Sequence, residues 1–173
     1  DWPKTGYTAR KNLHPTFSLS PASSTARPGM LIRLPELYLN YAEALNESNP
    51  GHGDIARYIN LVRSRAGLPA LATGLSQARM REEIRLERRI ELCFEGKRYF
   101  DVRRWKLVNT EGYRQGGNYT GMNMNAGTAL NSPQFHSRVV AINRRPWHNR
   151  YYFLPWPQME MDRNKQLVQA PGY

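Results

Sequence analysis

Apolar residues recur at three- and four-residue steps through the middle of this chain and lose that period on either side of it. From Arg33 to about Ser48 the recurring positions are Leu34, Leu37, Tyr38, Tyr41 and Leu45, which predicts an amphipathic helix. Pro35 is compatible with it because the first turn of a helix needs no amide donor. The run Asn49-Pro50-Gly51-His52-Gly53 breaks the pattern, and Asp54 can cap a second helix carrying Ile55, Tyr58, Ile59, Val62 and Ala66, stopped by Gly67 and Pro69. The short linker predicts an antiparallel pair the size of one tetratricopeptide unit, which cannot bury its own face without neighbours. Ser76 can cap a third helix that runs to about Phe94 before Gly96, and a shorter fourth follows, beneath which Phe100, Trp105 and Leu107 can pack. The predicted helices are therefore 33–48, 54–66, 76–94 and 98–107.

Outside this block the chain has turn chemistry. Residues 1–30 form an extended lead-in rich in Pro, Ser and Thr, with turn signals at Pro21 and at Arg27-Pro28-Gly29. From Asn109 to Pro133 the composition is Gly, Asn and Tyr without period, and a loop that long in a compact protein is usually functional or disordered. Short strands are compatible with Arg138 to Ile142 and Arg150 to Leu154, which carry β-branched or aromatic residues. The fold expected is mainly α, of helix pairs followed by a largely irregular C-terminal third.

The third helix carries charge where a simple amphipathic helix has carbon. At about 100° per residue, Met80, Ile84, Leu86, Ile90, Cys93 and Phe94 are expected on one broad face, and Glu83, Glu87 and Glu91 fall within it. A buried carboxylate without a partner is costly, so each needs a base from a packed neighbour. Arg33, Arg63, Arg65, Arg98, Arg103 and Arg104 are candidates, because a guanidinium can grip a carboxylate with two parallel bonds. Glu87, Glu91, Arg98 and Arg103 are accordingly expected to be structural ion-pair members. An acid/base role for Glu87 and Glu91 would require an open cleft and a water, which this arginine-crowded stretch does not suggest.

That stretch, ERRIELCFEGKRYFDVRRWK at Glu87 to Lys106, together with LIRLPELYLNYAEALNE at Leu31 to Glu47, resembles the C-terminal half of the SusD/RagB family. The ending YFLPWPQMEMDRNKQLVQAPGY, from Tyr152 to Tyr173, resembles the family's closing signature, although Lys165 stands where proline is common and Ala170 where asparagine is. The resemblance covers nearly everything from Leu31 onward, making residues 31–173 the C-terminal domain of a larger protein. It implies an α-solenoid-type fold of tetratricopeptide-like helix pairs. It also implies a cell-surface lipoprotein of the outer membrane that captures oligosaccharide, or sometimes peptide, for a SusC-like TonB-dependent transporter, without enzymatic activity or cofactor. The lipidated cysteine, the only membrane attachment expected, and many ligand-contacting positions would belong to an N-terminal half outside this sequence. No binding residue carries over by motif.

Composition changes this picture little. Of 173 residues, 40% are hydrophobic, enough to supply a core. The single cysteine, Cys93, excludes an intrachain disulfide. The net charge of +11 permits weak, salt-sensitive contact with polyanions. Interleaved acids and the absence of any nucleic-acid-binding signature argue against a nucleic-acid partner. The four histidines are scattered without metal-ligand spacing, so no metal site is expected, and neither a phosphate loop nor a nucleophile elbow occurs.

The long loop carries the remaining chemistry. A tyrosine ring accepts the C–H face of a pyranose while amides pair with its hydroxyls, so Tyr113, Asn118, Tyr119, Asn123 and Asn125 are candidate sugar contacts. The loop could equally be packed by its own aromatics or touch the transporter. Trp147 in RRPWHNRYYF is a further candidate, with Trp2 and Tyr7, whereas Trp105 and Trp156 read as structural anchors. Glycan capture thus stands beside a second reading, a helical scaffold that binds a protein partner or peptide cargo.

Overall fold

The computed structural model describes residues 3–11, 13–23, 25–26, 29–110, 113, 115–126 and 131–173. The chain divides into two compact units, one of Arg10–Arg98 and one of Asp1–Ala9 with Tyr99–Tyr173. Residues of the lead-in thus contribute to both. Trp2 and part of the Arg27-Pro28-Gly29 turn lie outside the described residues.

The first unit is helical. After a minimal hairpin of β1 (Ser18–Leu19) and β2 (Ala22–Ser23) come α1 (Leu34–Ser48), α2 (Gly53–Arg65) and α3 (Gln77–Glu91). Pro35 sits in the first turn of α1, and Ser76 caps α3 by accepting from the Arg79 amide. The cap of α2 is His52 rather than Asp54, its ring nitrogen accepting from the Asp54 amide. The helix starts at Gly53, which leaves Asp54 in the first turn, where its charge meets the positive end of the helix dipole. Leu39, Ala42, Ile55, Ile59, Val62 and Ile84 form the core, with Tyr38, Leu45, Leu71 and Met80 packed on it. The Tyr58 ring holds α1 to α2, 5.1 Å from Tyr38 and 5.2 Å from Tyr41.

Two helices bury a different face from the one their apolar period suggests. In α1 the buried positions are Glu36, Leu39, Ala42 and Asn46, while Leu34, Leu37 and Tyr41 are exposed. In α3 they are Ile84, Glu87, Arg88 and Glu91, while Leu86, Ile90, Cys93 and Phe94 are exposed. The reason is polar pairing. Asn46 and Gln77 exchange side-chain-to-backbone bonds of 3.2 and 2.9 Å where α1 ends and α3 begins. Near the other end, Arg88 donates to Asn40. These ties run α1 and α3 antiparallel and turn their polar stripes inward.

The second unit has little regular structure. It takes most of α4 (Lys97–Arg104), then β3 (Tyr119–Met122), β4 (Arg138–Ile142), a 3-10 turn at Asn149–Tyr152 and α5 (Gln158–Arg163). The buried residues of α4 are Asp101 and Val102, with Val108 just beyond, whereas Phe100 is exposed. Strands β3 and β4 pair antiparallel, Tyr119 opposite Ile142 and Met122 opposite Arg138, with a bulge at Tyr119/Thr120. The Met122 amide also bonds the Thr5 carbonyl at 3.0 Å. A Cβ at Gly121 would stand 2.6 Å from the Thr5 backbone, so only glycine fits there. Part of the stretch expected to be irregular is therefore a strand, and Arg150 to Leu154, where a strand was permitted, begins in the 3-10 turn.

Candidate functional site: an arginine–aromatic surface

The buried carboxylates of α3 are held from the other helices of the first unit. Arg63 Nη1 donates to Glu87 at 3.0 Å, and Arg65 Nη2 donates to Glu91 at 2.6 Å. Arg33 grips Glu91 through both its carboxylate and its carbonyl. The same guanidinium reaches Glu95 at 2.8 and 3.0 Å, and Lys11 adds a further contact. Burial pushes the Glu95 carboxyl up, but the bonds and charges of Arg33 and Lys11 outweigh it and hold the group below the ordinary carboxylate value. Glu87 and Glu91 are only 4% and 8% exposed, and guanidinium groups occupy their oxygens, an arrangement that joins helices rather than presenting an acid to a substrate.

Arg103 plays another part. Its Nη1 donates to the Tyr99 carbonyl at 2.9 Å, and its guanidinium lies 3.4 Å from the centre of the Tyr99 ring and 5.0 Å from that of Trp147. The Glu87 and Glu91 bonds above come from Arg33, Arg63 and Arg65 instead. Arg98 is half-buried at the second position of α4.

Trp147 is the hub of the second unit's aromatics. Its ring meets Tyr151 and Tyr152 edge-on at 5.6 and 5.3 Å. Arg150 lies 5.3 Å from both the Tyr151 and Tyr173 ring centres. The close turn is permitted by Gly116, where a Cβ would come within 2.3 Å of the Trp147 amide nitrogen. Ser/Thr-like capping is done here by His148, whose ring accepts from the Arg150 amide and starts the 3-10 turn that brings Tyr151 and Tyr152 to the tryptophan.

The loop candidates meet partners other than Trp147. Tyr113 meets Trp105 edge-on at 6.3 Å. Tyr119 opens β3, and the Arg144 guanidinium covers one of its faces at 3.6 Å. Asn118, the residue before β3, is exposed, whereas Asn123 braces the following turn by accepting from the Asn125 amide. Tyr7 lies under Arg138 at 5.5 Å. Trp156 is pinned through its backbone, since Gln169 both donates to its carbonyl and accepts from its amide.

Arg144, Arg150, Tyr99, Tyr151, Tyr152 and Tyr173 were not singled out from the sequence as site residues. The signal for four of them is the run RRPWHNRYYF itself, where arginine and aromatic side chains interleave. Among the described residues no cluster of three potential metal ligands occurs, and no helix is long and apolar enough to cross a membrane.

Over residues 1–173 the sequence matches the SusD family (SusD_RagB). The chain belongs to the SusD family. It is 35% identical over 150 residues to SusD-like protein P2 of Formosa agariphila, covering 82% of this chain and 25% of that protein. A crystal structure of a SusD-like protein from Bacteroides fragilis superposes with a TM-score of 0.70 at 35% identity, covering 84% of this chain and 26% of the other. The surface glycan-binding protein A of Bacteroides uniformis does so with a TM-score of 0.54 at 27% identity, covering 82% and 27%. The chain spans 25% of the length of the curated SusD-like proteins it matches, so it has the helical SusD-like fold over a fraction of their extent.

Proposed function

We propose that this SusD-family chain is part of a protein that captures oligosaccharide at the outer-membrane surface, held there by a lipid anchor, and passes it to a SusC-like TonB-dependent transporter without cleaving it. The observation that carries the reading is the aromatic surface around Trp147, Tyr151 and Tyr152, in a chain similar to a surface glycan-binding protein. Ring faces suit the C–H patches of a pyranose, and capture followed by release requires no bond to be broken. Tyr113, Asn118, Tyr119, Asn123 and Trp147 are the proposed contacts, with Trp147 foremost because two further rings surround it. Tyr119 has one ring face under Arg144, so a sugar would take the opposite face.

The test is calorimetric titration of the full-length protein and its Trp147→Ala variant against a panel of oligosaccharides, with product analysis by chromatography. Binding without product, weakened in the variant, supports the reading. Release of shortened products, or affinity unchanged in the variant, contradicts it.

A further inference from the structure

Resting on the capture reading, we infer that the surface around Trp147 is built for a saccharide bearing an acidic group, a carboxylate or a sulfate, with Arg103 and Arg150 as the groups that hold it.

The first ground is what these arginines lack. Arg103 Nε, Arg150 Nε and the Trp147 indole nitrogen are buried and have no hydrogen-bond partner among the described residues. Arg144 Nε and Nη2, three residues before the tryptophan, are in the same state. Arginine carries donors only, and so does the indole ring. The cluster therefore holds N–H groups without a matching acceptor among the described residues, and a group with acceptor oxygens only is the chemical complement. A neutral sugar hydroxyl both donates and accepts, and sites for it gain from a carboxylate or amide oxygen that these side chains do not supply.

The second ground is the charge distribution. From Gly112 to Met159 the sequence contains Arg114, Arg138, Arg144, Arg145 and Arg150 and not one aspartate or glutamate. Glu111 directly precedes the stretch and lies outside the described residues; among the described residues, Asp101 lies 3.0 Å from Arg104, Glu160 3.4 Å from Arg163 and Asp162 3.7 Å from Lys165. In the helical unit, by contrast, Arg33, Arg63 and Arg65 each meet a buried glutamate.

The third ground is geometry. A guanidinium lying over an aromatic ring has its face occupied and its in-plane N–H edge left for a planar or tetrahedral oxyanion, which it grips with two bonds. Arg103 lies over Tyr99 and 5.0 Å from the Trp147 ring centre, and Arg150 lies beside Tyr151 and Tyr173, so the Trp147 ring can meet the sugar while the arginines meet its acidic group.

The test uses the full-length protein and matched ligands that differ only in charge: oligogalacturonate against its methyl ester, and a carrageenan oligosaccharide against its desulfated form, with a single-stranded oligonucleotide as a plain polyanion. Calorimetry at two salt concentrations is run on the wild type, on Arg150→Gln and Arg103→Gln, and on Arg150→Lys, which keeps the charge and loses the fork. Expected is a preference of about tenfold or more for one acidic oligosaccharide over its neutral counterpart, lost in the glutamine variants and only partly kept by lysine. The member of the acidic pair that binds tells carboxylate from sulfate. Equal binding of charged and neutral forms overturns the inference and leaves the capture reading standing. Equal binding of the oligonucleotide also overturns it, in favour of unspecific attraction by net charge. Failure of every oligosaccharide to bind overturns both. The neutralised ligands probe the wild type, so the outcome does not depend on the folding of any variant.

Discussion

Arginine does two different things in the two units of this chain. In the helical unit it meets carboxylates: Arg33, Arg63 and Arg65 close on Glu87 and Glu91, which α3 turns inward, and on Glu95 beyond its end. In the second unit Arg103, Arg144 and Arg150 meet aromatic rings, and several of their nitrogens have no acceptor among the described residues. A paired, buried guanidinium is committed to holding helices, because removing either partner strands a charge. A stacked one keeps its hydrogen-bonding edge. The comparison teaches that the same residue type is architecture where acids accompany it, and it is where rings accompany it that we propose a role in recognition.

The largest effect should come from breaking a pair in the helical unit. Glu91→Ala strips Arg65 of its carboxylate and leaves Arg33 with Glu95 as its carboxylate partner, and it is expected to destabilise that unit by about 3 to 5 kcal/mol, measured by denaturant unfolding of the variant and the wild type. An unchanged midpoint would mean that α3 is not held by these ions. Next is the ring surface. Trp147→Ala or Tyr119→Ala should weaken oligosaccharide binding by roughly 1 to 3 kcal/mol where the ring is a platform, read by titration; Arg144 lies closer over Tyr119, at 3.6 Å, than Arg103 does over Trp147, at 5.0 Å, so Trp147 should give the greater loss.

Acid should separate the units as well. The Glu95 carboxyl has a folded-state pKa below its unfolded value, so its contribution is complete above the ordinary carboxylate value of about 4.3 and is lost as pH falls through the depressed folded value. Glu47 is lowered too, by its hydrogen bonds from Arg81, but it is half-exposed and solvent screens that pair. Stability measured from pH 6 downward on wild type and Glu95→Gln, at about half-unit steps, should show a shallower acid decline in the variant; parallel curves would remove Glu95 from the account. The smallest effect is expected at Glu160→Ala, which breaks an exposed i,i+3 pair with Arg163 and should change stability by less than about 0.5 kcal/mol. A larger loss there would show that surface pairs in the second unit carry weight denied to them here.

Much of the helical unit was legible in the sequence because its signals are local. Ile55, Ile59 and Val62 follow one helical stripe, Ser76 caps where its spacing indicates, and Pro35 falls in a first turn. The inward faces of α1 and α3 were not legible from hydrophobic period, since Leu86 and Ile90 satisfy the period as well as Ile84 does. What selects among them is the presence of Arg33, Arg63 and Arg65 on other segments. The β3–β4 pairing was hidden because its strands lie fifteen residues apart, from Met122 to Arg138, across a run without period, and such register is set by tertiary contact. The loop's amides and rings were visible as types of chemistry, but Trp147's neighbours emerge only when the 3-10 turn brings Tyr151 and Tyr152 beside it.

The central claim is most directly tested by measuring melting temperature and oligosaccharide affinity together for Arg33→Gln and Arg150→Gln in the full-length protein. The account predicts that Arg33→Gln lowers the melting temperature and leaves the affinity of the folded protein unchanged, whereas Arg150→Gln lowers affinity with little change in melting temperature. The reverse pattern, or the same loss of stability in both with affinity intact, would contradict it.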